Sequence, residues 1–165
     1  MESKKETPFT LRPAGPDDAG TIATLIGELA VYERLAHEAA PDVDRLKRHL
    51  SPDASPRIEA ILAEVDGEAV GFALFFQNYS TFLTRWGIYL EDIYVRPESR
   101  GKGIGKALLK RVAQIAVERE CGRLEWSVLD WNESAIQFYR SLGAKPMDEW
   151  TTMRVTGEAL QRLGS

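Results

Sequence analysis

Residues 87–95 read GIYLEDIYV, and residues 100–110 read RGKGIGKALLK. The first stretch is dense in β-branched and aromatic residues and predicts a strand. In and after the second, Ile104, Leu108, Val112 and Ala116 recur every four residues, with Leu109 and Ile115 beside them. That spacing predicts an amphipathic helix over about residues 104–120. Between strand and helix lies a turn rich in glycine and basic residues. Glycines let backbone approach a ligand closely, and the first amides of a helix point outward with the positive end of its dipole. The arrangement is an anion cradle, to which Arg100, Lys102 and Lys106 add mobile charge.

Two nucleotide motifs fail at this turn. A P-loop needs Gly, four residues, then Gly-Lys-Ser/Thr, but Arg100 stands five before Gly105, and Ala107 follows Lys106. A dinucleotide GxGxxG starting at Gly101 would need glycine where Lys106 stands. The pattern that fits is Arg-x-x-Gly-x-Gly from Arg100 to Gly105.

Outward from the turn, the chain alternates elements. Residues 9–12 predict a strand, 18–34 a helix through Ile22, Leu25, Ile26 and Leu29, and 43–50 a shorter helix. Two strands, 58–65 and 70–76, flank Asp66-Gly67, a hairpin signal. Residues 78–86 read as irregular. A strand over 124–129, a helix from Asn132 to Leu142 closed by Gly143, a strand over 150–155 and a helical tail complete the order. A meander followed by helical crossovers predicts an α/β (α+β) domain: a mixed, mostly antiparallel sheet flanked by helices, over residues 9–165 after a tail at 1–8.

Composition narrows the function. The 165 residues carry a net charge of −4, which argues against sequence-independent nucleic-acid binding. One cysteine and two histidines speak against a disulfide or a His/Cys metal cage. The opening MESKKETP has no apolar core and no run reaches the ~20 residues of a membrane span, so the expected compartment is the cytosol. Charge is uneven: residues 96–111 hold six bases and one acid, whereas 28–68 hold ten acids and five bases. One region suits an anion and another a cation.

Together, GIYLEDIYV (87–95), RGKGIGKALLK (100–110) and LDWNESAIQFYRSLGA (129–144) resemble the spermidine/spermine (diamine) acetyltransferases of the GNAT superfamily. Asn78–Phe82 and Ile93-Tyr94 are similar to their thialysine acetyltransferase relatives, and the resemblance extends over most of the chain. It implies an acetyl-CoA-dependent N-acetyltransferase with a sheet splayed near residues 91–95. The backbone of Ile93, Tyr94 and Val95 would pair with the pantetheine arm, and Gly101, Lys102, Gly103, Ile104, Gly105 and Lys106 would hold the pyrophosphate. Asn132 and Ala135 would lie along the cofactor, with Tyr139 by the thioester sulfur as its proton donor. Glu91 is the candidate base, acting through a water, because a carboxylate is a weak direct base for an ammonium.

Tyr32, Glu33, Glu91, Asp92 and Glu149 are the candidate contacts to a small cationic amine, with residues 125–127 matching further contact positions. On a regular strand Glu91 and Asp92 face opposite sides, so one pocket takes only one of them unless the strand bulges. Asn132 also reads as a helix N-cap, and Glu91 as an ordinary hydrogen-bonded carboxylate. The segment LSPDASPR (50–57) lacks the family's glycine- and aromatic-rich stretch, so polyamine specificity does not carry over. The family implies a homodimer. The rival readings are the same chemistry on a protein amine or an aminoglycoside, and an acyl-CoA-binding module without catalysis.

Overall fold

The computed structural model describes residues 8–165, which divide into two compact units meeting in sequence at Ser127/Val128. The first unit holds strands β1 (Thr10–Pro13), β2 (Glu59–Val65), β3 (Glu68–Ser80), β4 (Arg85–Val95) and β5 (Leu124–Trp126), and helices α1 (Ala19–Tyr32), α2 (Val43–Leu50) and α3 (Ile104–Glu118). The second holds α4 (Glu133–Ser141) and α5 (Gly157–Leu163). The five strands lie in the order β1-β2-β3-β4-β5, antiparallel except for the parallel β4/β5 pair, which α3 connects. The mixed, mostly antiparallel sheet expected from the sequence is therefore present. The expected tail at 1–8 falls almost wholly outside the described residues.

Each sheet face carries its own core. On one face Ala60, Leu62, Phe72, Leu74 and Tyr94 pack with Ile22, Leu25 and Leu29 of α1 and Leu50 of α2. The i, i+3, i+7 spacing in α1 puts those three side chains on one stripe. On the other face Ile61, Ala73, Phe75, Ile88 and Leu90 are buried, and Ile104, Leu108, Leu109, Val112 and Ala116 form the buried stripe of α3. Asp42 caps α2 by accepting the Arg45 amide at 2.9 Å. The β2/β3 hairpin turns through Asp66 (φ 51°) and Gly67 (φ 78°), the doubly left-handed turn that Asp-Gly predicts.

Three expectations are corrected. The strand expected over 124–129 ends at Trp126, where its pairing with β4 stops. Residues 78–86 are a regular hairpin, with β3 running to Ser80 and β4 beginning at Arg85. The Tyr79 and Trp86 rings pair edge-on across the strands at 5.1 Å, and the Ser80 hydroxyl accepts the Leu83 amide at 3.2 Å to close the turn. Cross-strand contacts of this kind have no signature in one strand's own pattern. Residues 150–155 form no strand. A strand exists only through a pairing partner, which an apolar alternation does not supply. No helix of the described residues is long and apolar enough to cross a membrane.

Arg96 locks the end of β4. Its guanidinium donates to both Glu28 carboxylate oxygens at 2.9 and 3.0 Å, to Glu68 at 3.2 Å and to the Ala69 carbonyl at 3.1 Å. One side chain thus ties α1, the β2/β3 hairpin and β4 together. Arg96→Ala leaves the partly buried Glu28 uncompensated and is expected to cost about 1–3 kcal/mol of unfolding free energy in a urea titration; an unchanged midpoint would show that the tie carries no stability.

Candidate active site

In β4, Leu90 pairs with Phe75 and Asp92 pairs with the adjacent Leu74, so Glu91 is an extra residue without a partner on β3. This is a β-bulge, and it shifts the side-chain alternation by one. Ile88 and Leu90 point into the α3-side core, whereas Asp92 and Tyr94 fall on the α1 side. Glu91 is exposed and Asp92 half-buried. Burial, then the Glu91 and Glu33 charges, push the Asp92 carboxyl up to about 6. Glu33, the residue capping α1, is also raised by burial. The α1 helix ends there because Arg34 takes the left-handed conformation (φ 63°). None of Glu33, Glu91 and Asp92 belongs to an ion pair among the described residues.

The same strand is open on its other edge. The β4/β5 pairing runs from Ile88/Leu124 to Leu90/Trp126 and stops, so residues 91–95 have no β5 partner. Apart from the Val95 carbonyl, which accepts from Arg100, their outward backbone groups have no β5 partner and can meet an extended ligand with amides of its own, as the pantetheine arm of coenzyme A is. Beyond Val95 the chain enters the glycine turn. Gly101 (φ 77°) and Gly103 (φ 80°) adopt left-handed conformations, which is why glycine stands at both. A Cβ on either would meet nothing within 4 Å, so this backbone is openly approachable. The first helical closure is from the Ala107 amide to the Gly103 carbonyl at 3.0 Å, which leaves the amides of Ile104, Gly105 and Lys106 without an intrahelical acceptor. Lys102 and Lys106 are exposed beside them. The cradle and the open edge fit coenzyme A.

Arg100 departs from the sequence reading. Its Nε donates to the Val95 carbonyl at 2.8 Å, and its guanidinium lies 4.5 Å from the Tyr32 ring centroid and 5.7 Å from that of Tyr94. It is held in place rather than mobile. Two side chains of the 125–127 segment are likewise engaged: Glu125 with Arg123 at 3.4 Å, and Ser127 with the Tyr89 hydroxyl at 2.8 Å.

The remaining candidates belong to the second unit. Asn132 caps α4, its Oδ1 accepting the Ala135 amide at 3.4 Å. Tyr139 is half-buried on α4 with its ring 5.6 Å from that of Phe138, and Glu149 is exposed. The first unit therefore brings together Tyr32, Glu33, Glu91, Asp92, Arg100, the open edge and the cradle. Sequence reasoning missed the bulge's position and the Arg100 stack, neither of which has a local signal.

Residues 27–144 match the Acetyltransferase (GNAT) family. The chain belongs to the GNAT acetyltransferase family. It is 39% identical to a thialysine N-epsilon-acetyltransferase of Bos taurus, over 93% of this chain and 95% of that one. It is 35% identical to an L-ornithine N5-acetyltransferase of Arabidopsis thaliana, over 93% and 86%. Among solved structures, an integron cassette protein of V. cholerae superposes with a TM-score of 0.78 at 27% identity, covering 94% of this chain and 97% of the other. This GNAT protein is an N-acetyltransferase that uses acetyl-CoA as its donor.

Two predictions test the site. A carboxyl that titrates near 6 when folded and near 3.8 when free holds its proton more tightly in the fold. Its stabilising contribution is complete below the lower value and is lost as pH rises through the higher, by about 3 kcal/mol. Asp92→Asn is therefore expected to be more stable than wild type at pH 7.5 and to lose less stability between pH 4 and 7; parallel pH profiles of unfolding would contradict this. Gly103→Asp adds strain and negative charge at the cradle and is expected to weaken coenzyme A binding at least tenfold by calorimetry. Unchanged affinity would show that the turn does not hold the phosphates.

Proposed function

We propose that this enzyme transfers acetyl directly to the primary amine of a small cationic molecule: a lysine-, thialysine- or ornithine-like amino acid, or a short diamine or polyamine. The observation that carries this reading is the meeting of Glu33, Glu91 and Asp92 at the β4 bulge. Three neighbouring carboxylates repel one another, and a substrate ammonium relieves that repulsion. The thialysine and ornithine acetyltransferases among its relatives support the same acceptor class.

Bound acetyl-CoA would supply an activated acetyl group as a thioester. The amides at the start of α3 and the lysines Lys102 and Lys106 would hold its pyrophosphate, and the free edge of β4 at Ile93–Val95 would hold its amide-bearing arm. Glu33 and Asp92 orient the ammonium, and Tyr32 flanks them. Glu91 takes the amine proton through a water, since it is exposed and a carboxylate is too weak for direct abstraction. Tyr139 donates its phenol proton to the departing sulfur, a role resting on the sequence match of residues 129–144. Holding amine and thioester together accounts for most of the rate, and no covalent enzyme intermediate is needed. The same resemblance supports a homodimer in which both chains shape the acceptor site.

The test is coenzyme A release from acetyl-CoA against thialysine, lysine, ornithine, putrescine, spermidine, an aminoglycoside and a basic peptide. Fastest turnover with one of the five small amines is expected. Preference for the aminoglycoside or peptide would overturn the acceptor assignment, and coenzyme A binding without turnover would make the protein a cofactor-binding module. On the best amine, Tyr139→Phe is expected to lower kcat at least tenfold, about 1.4 kcal/mol on the barrier, with coenzyme A affinity within threefold. Equal kcat would end the proton-donor role.

A further inference from the structure

We propose that Arg100 is a positioning residue that ties the amine-binding end of α1 to the phosphate turn, through its bond to the Val95 carbonyl and its stack on Tyr32. The inference rests on the acceptor reading above and adds to it a physical link between the two halves of the site. Of the five N–H donors of a guanidinium, Nε carries one and the two Nη atoms carry four. Here Nε is spent on the Val95 carbonyl at 2.8 Å, which fixes the plane of the guanidinium. That plane lies over Tyr32 at 4.5 Å, with Tyr94 at 5.7 Å. Arg100 is exposed and in no carboxylate ion pair among the described residues, so its Nη donors stay open to solvent while its guanidinium carbon lies over the Tyr32 ring.

The position of Tyr32 gives the stack its consequence. It is the last residue of α1, Glu33 follows it, and Arg34 (φ 63°) turns the chain away at once. Tyr32 is 40% exposed, so the sheet core grips this last turn only on one side. Arg100 supplies a contact from outside the helix. It is also the residue at which the turn leaves the short 3-10 stretch Pro97–Ser99 and enters the cradle. A shift of the turn therefore moves the platform under Tyr32, and with it Glu33. Coupling between two binding sites is reciprocal, so the same contact lets the amine side bias the cofactor side.

Arg100→Lys keeps a positive charge for phosphate but loses the flat face and the Nε donor. Tyr32→Leu keeps apolar bulk and loses the ring. Amine affinity is read by calorimetry with coenzyme A saturating, and KM and kcat are read alongside. Each single variant is expected to weaken amine binding and raise its KM about two- to fivefold, the range of one exposed cation–π contact, with kcat within twofold. The double variant is expected to be no worse than the weaker single one, because both remove one contact. Additive losses would overturn the proposal. So would an Arg100→Lys variant that binds amine normally while binding coenzyme A more weakly, which would make Arg100 a plain phosphate ligand. Wild-type protein that binds no small amine overturns the acceptor reading itself, a result distinct from either.

Discussion

The bulge at Glu91 is the constraint on which both cores and the site depend. A strand that alternates without interruption puts residues 88, 90, 92 and 94 on one face. In this protein that register would send Asp92 toward the α3-side core and leave the α1 side without Tyr94. One extra residue reverses the alternation in the middle of β4. Ile88 and Leu90 complete one core, Tyr94 the other, and Asp92 emerges where α1 ends. The strand thus changes faces at the point where its pairing with the short β5 stops, so the acidic corner and the open edge lie side by side.

Electrostatics divides the first unit along this strand. N-terminal to the turn, Glu33, Glu91 and Asp92 crowd together, and the Asp92 carboxyl is raised first by its burial and then by the two neighbouring charges. C-terminal to it, unbonded helix amides, Lys102 and Lys106 gather positive potential. Arg96 and Arg100 stand between the two regions with different tasks. Arg96 is neutralised by Glu28 and Glu68 and holds elements together. Arg100 is bonded to a carbonyl and two rings, and joins the acidic end of α1 to the cradle. Opposite charges held apart on a rigid sheet suit a reaction between an ammonium-bearing acceptor and a phosphate-bearing donor.

What could be read from the sequence was local. The glycine turn, the stripe of α3, the Asp66-Gly67 hairpin and the capping of α4 each depend on residues a few positions apart, and each appears where its pattern places it. What could not be read depended on partners distant in sequence. The length of the β3/β4 hairpin rests on Tyr79 meeting Trp86, and residues 150–155, strand-like in pattern, form no strand because they take up no pairing. LEDIYV at 90–95 is compatible with either register, and only pairing with Leu74 and Phe75 decides which residue is extra. Arg100 belonged to the right motif, but its nearer ring contact comes from Tyr32 of α1, far up the chain.

The central claim is that the open edge of β4 and the start of α3 form one continuous donor surface next to the bulge. Amide hydrogen exchange, resolved by residue with and without coenzyme A, tests it most directly. The account predicts that coenzyme A slows exchange within residues 91–95 and at the amides of Ile104, Gly105 and Lys106, while the already paired strand β2 is unchanged. Protection confined to other segments, with both of these exchanging as fast as before, would contradict it.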